Sequence, residues 1–267
     1  MFTISTIAQP DTLEAAYKVL KEKRSNAVLG GCAYLRMGTQ KIHTGVDLTK
    51  LGLKYIKEQD NCIEIGAMTS FRDVETNQVL NKYAGGLLAK AVAGIIGVQF
   101  RNAVTVGASV FMRYGFSDFL TALLALDAEV ELVQGGRMTL AAFLDMPRSK
   151  DVLTKVIIHK TEGQASYQAL RNSAGDYPLV TVAVSRLNNE WKIVVGARPT
   201  RAKLAGRAAA LLNEAGTLLG AELAEQAAQT AADELPFGSN RRASAAYRQA
   251  VAQTLIKRAI MEVAACK

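Results

Sequence analysis

The pattern of the chain changes near residue 160, and that change limits the folds open to it. Before it, short apolar runs that read as strands are interspersed with helical segments. After it come three β-rich runs, Ser166 to Arg171, Leu179 to Leu187 and Trp191 to Val195, followed by alanine-rich stretches. Asn188-Asn189 between the last two runs suits a tight hairpin turn, because asparagine tolerates the backbone angles such turns need. Helices are expected over 200–215, 218–232 and 243–265. Strands gathered first and helices gathered after them are the order of an α+β arrangement. The division predicts two domains, residues 1–160 and 161–267, in a chain of 267 residues that can bury two modest cores.

The first part opens as strand, helix, strand. Asp11 followed by Glu14 resembles a capping box, and Leu13, Ala16, Tyr17 and Leu20 recur at helical spacing. Ala27 to Gly31 (AVLGG) reads as a short strand breaking into a glycine turn. Ile42 to Leu48 is a further strand. Tyr55 to Lys57 and Cys62 to Ile65 form a hairpin-like pair turning at Gln59-Asp60-Asn61. Residues 70–97 carry helical patterns. Arg101 to Val110 (RNAVTVGASV) reads as a strand with a glycine inside it. Ser117 to Asp127 is a helix capped near Ser117 or Asp118, and it feeds a strand AEVELV. Gly135-Gly136 turns toward Met138 to Leu140, and Val152 to Ile158 is again β-rich.

Several classes of function are excluded by what the chain lacks. Cys32, Cys62 and Cys266 are odd in number and widely spaced, and His43 and His159 are the only histidines. Neither a disulfide framework nor a zinc or iron–sulfur site can be assembled from them, so redox chemistry here needs a bound organic cofactor. Apolar runs such as Leu123 to Leu126 are far too short to span a bilayer. The opening residues show no basic segment followed by a long apolar run, so a cytoplasmic location is expected. The net charge of +8 suits an anionic cofactor or an acidic partner. The basic residues are mostly scattered, with dense groups only at Lys21 to Arg24 and Arg241-Arg242. They are not interleaved with aromatics, which argues against nucleic acid.

Two glycine-bearing segments carry the chemistry. In Leu29 to Leu35 (LGGCAYL), Gly30 and Gly31 remove side chains where a strand ends, so successive N–H groups can point at one anion. A helix or turn starting at Cys32 to Leu35 would add its positive end. In Val104 to Val110 (VTVGASV), Thr105 offers a hydroxyl, Gly107 opens the backbone, and Ala108 and Ser109 are small. Taken singly, a Gly-Gly after a strand is also an ordinary turn, and Gly107 could mark a bulge.

Together the segments stand in a recognisable frame. Leu29 to Leu35 is followed by Val46-Asp47-Leu48, Ile65-Gly66-Ala67-Met68-Thr69, Arg101 to Ser109, Ser117-Asp118 and Leu123 to Ala128. Further on come Leu204-Ala205-Gly206 and Tyr247-Arg248. This order resembles the FAD-binding medium subunit of the molybdenum hydroxylases, the xanthine dehydrogenase and carbon monoxide dehydrogenase group, over essentially the whole chain. The resemblance implies an α+β protein. Its two-part FAD-binding domain, a small α/β lobe and a larger α+β lobe, precedes a C-terminal domain with a three-stranded antiparallel sheet and helices. It implies an FAD-dependent oxidoreductase subunit that passes electrons from iron–sulfur clusters to NAD or another acceptor. The partners would be a molybdopterin-containing large subunit and a [2Fe–2S] small subunit. The alternative is a non-catalytic scaffold of the same fold with weak or lost FAD binding.

By position, the resemblance places Leu29, Gly30, Gly31, Cys32, Ala33 and Tyr34 around the FAD diphosphate with Thr105, Val106, Gly107, Ala108 and Ser109. Asp118 falls near the ribityl and adenosine portion, with helix capping as its other role. Val152 and Leu153 match positions beside the adenine end, and Ile95 and Ile96 match positions near the flavin. Gln168 stands where some members have a lysine. The sequence departs from the family at Cys32-Ala33 and Ala108-Ser109, where Thr-Asp and Gly-Asn are usual, so some side-chain bonds are lost. No catalytic acid or base is required of this chain. Cys32 at a helix start could have a lowered thiol pKa, although a small residue filling a turn is the simpler reading.

Overall fold

The computed structural model describes residues 2–216 and 220–265. Cys266 and the first residues of the helix expected over 218–232 lie outside them. The chain forms two compact units, one of Met1–Val74, Gly97–Met112 and Ala128–Lys160, the other of Glu75–Ile96, Arg113–Asp127 and Thr161–Lys267.

The first unit holds two sheets. Strands β1 (Thr3–Ala8), β2 (Ala27–Leu29) and β3 (Lys41–Asp47) form a parallel sheet in the order β1-β3-β2. The helix Leu13–Glu22 connects β1 to β2, the two strands that flank β3, as the crossover that parallel strands of one sheet need. Its N-cap is Thr12, whose hydroxyl accepts the Ala15 N–H at 3.1 Å, one residue later than the Asp11 box expected from the sequence. Ala16 and Leu20 from this helix pack with Val46, Leu48, Leu53 and Val152 in a buried cluster.

The second sheet contains β4 (Ile56–Glu58), β5 (Cys62–Gly66), β6 (Ala128–Leu132), β7 (Gly136–Thr139) and β8 (Leu153–His159), all antiparallel, in the order β4-β5-β8-β6-β7. The expected strand over 101–110 is absent. Val98–Ala103 and Val106–Met112 are two short helices, joined at Thr105 by a single bridge to Ser70. The β-branched Val104, Thr105 and Val106 favour strand locally. Thr105 instead accepts the Ser109 N–H with its carbonyl at 3.1 Å and starts a helix. Packing overrides propensity here.

The other unit is built on β9 (Gly163–Arg171), β10 (Pro178–Leu187), β11 (Glu190–Gly196) and β12 (Lys203–Leu204), antiparallel in the order β12-β11-β10-β9. This four-stranded sheet corrects the three strands expected. Lys203–Leu204, taken from sequence as part of an alanine-rich helix, pairs with Val194 and Val195, and the helix begins only at Gly206. The turn at Asn188 and Asn189 has the positive φ values of +49° and +62° that the hairpin demanded. Val180, Val182 and Val184 on β10 and Trp191, Ile193 and Val195 on β11 pack against the helices Gly206–Glu214, Ala221–Glu234 and Ala245–Ala265. Ala224, Ala227, Ala228 and Ala231 repeat at three- and four-residue spacing, so a small-residue stripe of the middle helix joins this core.

Candidate functional site

The first unit brings the two glycine segments together. β2 ends at Leu29, and the chain turns through Gly31 (φ +73°) and Cys32 (φ +57°), both left-handed. Glycine is required at the first of these. A Cβ on Gly31 would stand 1.6 Å from the Ala103 carbonyl oxygen, an impossible overlap. A Cβ on Gly30 would stand 2.7 Å from the Ala108 Cβ and 3.0 Å from the Thr105 Oγ1. The turn therefore lies directly on the segment that carries Thr105 and Ala108. The methyl that replaces the family glycine at Ala108 faces Gly30, in the seam between them.

The two segments use their amide groups differently. Among the described residues, the N–H groups of Gly30, Gly31, Cys32 and Ala33 donate to no acceptor, and all four residues are half-exposed. Backbone donors must be satisfied, so this row is available to solvent or to an anion. Across the seam the amides are already engaged. Val106 N–H donates to Thr69 O at 2.9 Å, Gly107 N–H to Ala67 O at 2.8 Å and Ala108 N–H to Thr105 Oγ1 at 3.3 Å. Gly107 is small because a Cβ there would meet Ala67 Cβ at 2.7 Å and its carbonyl at 2.8 Å. The second glycine serves packing, and the first pair serves an open row of donors.

The support behind Thr105 was missed in the sequence. Ser70, its bridge partner, caps the helix Phe71–Thr76: Ser70 N–H and Oγ donate to Asp73 Oδ2 at 3.0 and 2.7 Å, and Asp73 N–H donates back to Ser70 Oγ at 3.1 Å. Burial opposes ionisation of Asp73, but the Ser70 bonds and the Lys54 ammonium, 3.3 Å away, outweigh it and hold the carboxyl below its usual range. The spacing Ser70-x-x-Asp73 is itself a capping signature.

No helix starts at Cys32. Only a short 3-10 turn, Leu35–Met37, follows, and burial pushes the Cys32 thiol up, with Arg36 pulling partly the other way. The thiol stays protonated at neutral pH, which removes the activated-thiolate reading. Tyr34 sets its ring edge-on to Phe100 at 5.9 Å. Val152 and Leu153 are buried, and Val152 belongs to the core cluster with Leu48 and Leu53.

The remaining predicted residues lie in the second unit, where Asp118 and Gln168 are bonded to neighbouring side chains. Asp118, next to the N-cap Ser117, accepts hydrogen bonds from both Tyr167 and Arg171. Burial pushes its carboxyl up, against the pull of Arg171. Gln168 donates to Glu262 at 2.7 Å. Ile95 is half-buried, and Ile96 is exposed beside Gly175. Among the described residues no cluster of His, Cys, Asp and Glu could hold a metal ion, and no helix is long and apolar enough to cross a membrane.

The model of the FAD-binding domain in molybdopterin dehydrogenases matches residues 2–161, and that of the carbon monoxide dehydrogenase flavoprotein C-terminal domain matches residues 165–263. The chain belongs to this family and is an FAD-binding oxidoreductase subunit of the molybdenum-hydroxylase class. It is 27% identical to the nicotine 6-hydroxylase medium subunit of Paenarthrobacter nicotinovorans, over 97% of this chain and 96% of that one. It is also 27% identical to the glyceraldehyde dehydrogenase medium chain of Sulfolobus acidocaldarius, over 95% and 96%. Its fold is that of a chain of carbon monoxide dehydrogenase from Hydrogenophaga pseudoflava, with a TM-score of 0.87, 22% identity, and 97% and 96% of the two chains covered. A chain of quinoline 2-oxidoreductase from Pseudomonas putida 86 gives a TM-score of 0.85 at 22% identity, covering 98% and 97%.

Proposed function

We propose that the chain is the medium subunit of a molybdenum-hydroxylase complex, holding the FAD diphosphate on the amide row of Gly30, Gly31, Cys32 and Ala33. The observation that carries this reading is that row: four consecutive donors without an acceptor among the described residues, at a turn whose shape demands glycine. Oriented amides of this kind suit a diphosphate because they supply positive potential without a titrating side chain. Leu29 and Tyr34 flank the row. Thr105 to Ser109 form its wall, contributing the small face of Ala108 and the hydroxyls of Thr105 and Ser109 rather than helix amides, while Gly107 packs on Ala67.

Val152 and Leu153 would lie beside the adenine end. For Asp118, Ile95, Ile96 and Gln168, cofactor contact rests on the family resemblance alone. The domains would be 1–160 and 161–267, in keeping with family models that meet between residues 161 and 165.

Bound FAD supplies the one- and two-electron chemistry that links iron–sulfur clusters to a final acceptor. This chain's own residues bind and orient it. The partners in this reading are a molybdopterin-containing large subunit and a [2Fe–2S] small subunit, with NAD or another acceptor taking the electrons. Relatives described as medium subunits or medium chains support that arrangement. A scaffold that no longer holds FAD is the second reading, favoured by the Ala108 methyl set against Gly30. Flavin absorbance of the purified chain and titration with FAD separate the two. Saturable binding supports the first, and none at all supports the scaffold. Mass spectrometry of a native pull-down tests the partners.

A further inference from the structure

One dipeptide outside both glycine segments is tied to more main chain than any local role requires. Lys150 Nζ donates to three carbonyls, Leu20 O at 3.1 Å, Lys23 O at 2.7 Å and Asn26 O at 2.9 Å. The first two belong to the C-terminal end of the helix Leu13–Glu22, where a cation is favoured by the helix dipole. The third belongs to the residue that immediately precedes β2. Asn26 is buried and is held again from its side chain, which donates to Val19 O at 2.7 Å and accepts the Thr44 N–H at 3.1 Å. β2 is only three residues long, and Gly30 follows it directly. The start of the amide row is thus set from behind by Lys150.

The adjacent Asp151 works in the opposite sense. Its buried carboxylate accepts the N–H groups of Gln134 at 3.2 Å, Gly135 at 2.8 Å and Val152 at 2.7 Å. Val152 in turn accepts the Val133 N–H at 3.0 Å. A cation that takes only carbonyls and an anion that takes only amides, side by side in the chain, bind two different stretches of backbone to one point. Among the described residues neither forms an ion pair with a side chain, and charge-assisted bonds of this type are among the stronger ones a protein makes.

We infer that Lys150 and Asp151 are positioning residues that fix the Gly30–Ala33 amide row relative to Val152 and Leu153, and so set the grip on the adenosine diphosphate half of the cofactor. The inference rests on the diphosphate reading above. Neither residue touches the cofactor in this account. Burial and the nearby Lys21 lower the Lys150 pKa, against the carbonyl bonds, which favour the charged ammonium.

The test uses the full chain and two probes, FAD and ADP. Lys150→Met removes the ammonium while keeping the stem, Lys150→Arg retains a cation, and Asp151→Asn retains an acceptor but no charge. The expected result is that Lys150→Met raises the dissociation constants of FAD and ADP by the same factor, about tenfold, with Lys150→Arg restoring most of the loss. Amide hydrogen exchange of the ligand-free chain is read alongside. Faster exchange at residues 27–33 and 133–135 in Lys150→Met and Asp151→Asn, relative to 106–109, is expected. If the unfolding midpoint falls while both dissociation constants and this exchange pattern stay unchanged, the two residues are merely structural and the inference is overturned. If the parent chain binds neither probe, the diphosphate reading fails on its own, and the exchange arm still decides whether the clasp sets the turn. Should Lys150→Met not fold, Lys150→Gln replaces it with the same expected direction.

Discussion

The Gly30–Ala33 turn and the Thr105–Ser109 segment look alike in sequence, each a β-rich run opened by glycine, but their backbones are used in opposite ways. In the first the glycine pair frees a row of amides that no acceptor among the described residues takes. In the second the amides of Val106, Gly107 and Ala108 are bonded inside the protein, and the glycine is there because Ala67 leaves no room for a Cβ. A glycine beside a binding site is thus ambiguous until the destination of each N–H is known.

The contrast is most easily broken at Gly31. Gly31→Ala adds a left-handed backbone cost of about 1–2 kcal/mol to an overlap with the Ala103 carbonyl. FAD affinity should fall by more than about 100-fold, or about 2.7 kcal/mol, as measured by fluorescence titration. A variant that binds normally would show that the turn is not the anion site. Gly107→Ala should do the reverse. Crowding against Ala67 should lower stability by about 1–3 kcal/mol in urea unfolding, while the folded fraction keeps its FAD affinity within about threefold. An affinity loss matching that of Gly31→Ala would erase the distinction.

The seam itself offers a smaller effect. Gly30→Ala brings a methyl to 2.7 Å from the Ala108 Cβ, and Ala108→Gly removes that neighbour. The double variant should therefore recover part of the loss, with a coupling of about 0.5–1.5 kcal/mol in a mutant cycle on FAD binding. Strict additivity would mean that the two residues do not meet.

The smallest effect is acidic. Asp73 has a depressed pKa in the folded chain, so its contribution is complete above the unfolded value of about 3.9 and is lost as pH falls through the lower folded value. Asp73 is partly exposed, so the effect is modest. The urea midpoint should drop between pH 5 and pH 3 more in the parent than in Asp73→Asn. Equal drops would remove Asp73 from the support of Thr105.

Much of this architecture was legible in the sequence, because strand alternation, the Asn-Asn hairpin and the alanine stripe are local signals. The helices on either side of Thr105 were not, since Val104, Thr105 and Val106 favour strand and only contacts with Thr69, Ser70 and Ala67 settle the matter. β12 was hidden because two residues at the head of an alanine-rich run carry no period of their own. The family frame brought the two glycine segments to one place, but spacing alone could not reveal which of them keeps its amides free. Nor could it reveal Lys150, whose acceptors lie 124 to 130 residues away. Asp118 was legible as a helix-start residue, whereas its bonds to Tyr167 and Arg171 depend on a sheet about fifty residues further on.

The most direct measurement is backbone amide NMR of the labelled chain titrated with FAD, and with ADP as the fragment. The account predicts large shift changes and exchange protection at Gly30, Gly31, Cys32 and Ala33 with both ligands, and small changes at Val106 and Gly107, whose hydrogen bonds are already made. Perturbation centred on Val106 and Gly107 with the Gly30–Ala33 amides unmoved would contradict it.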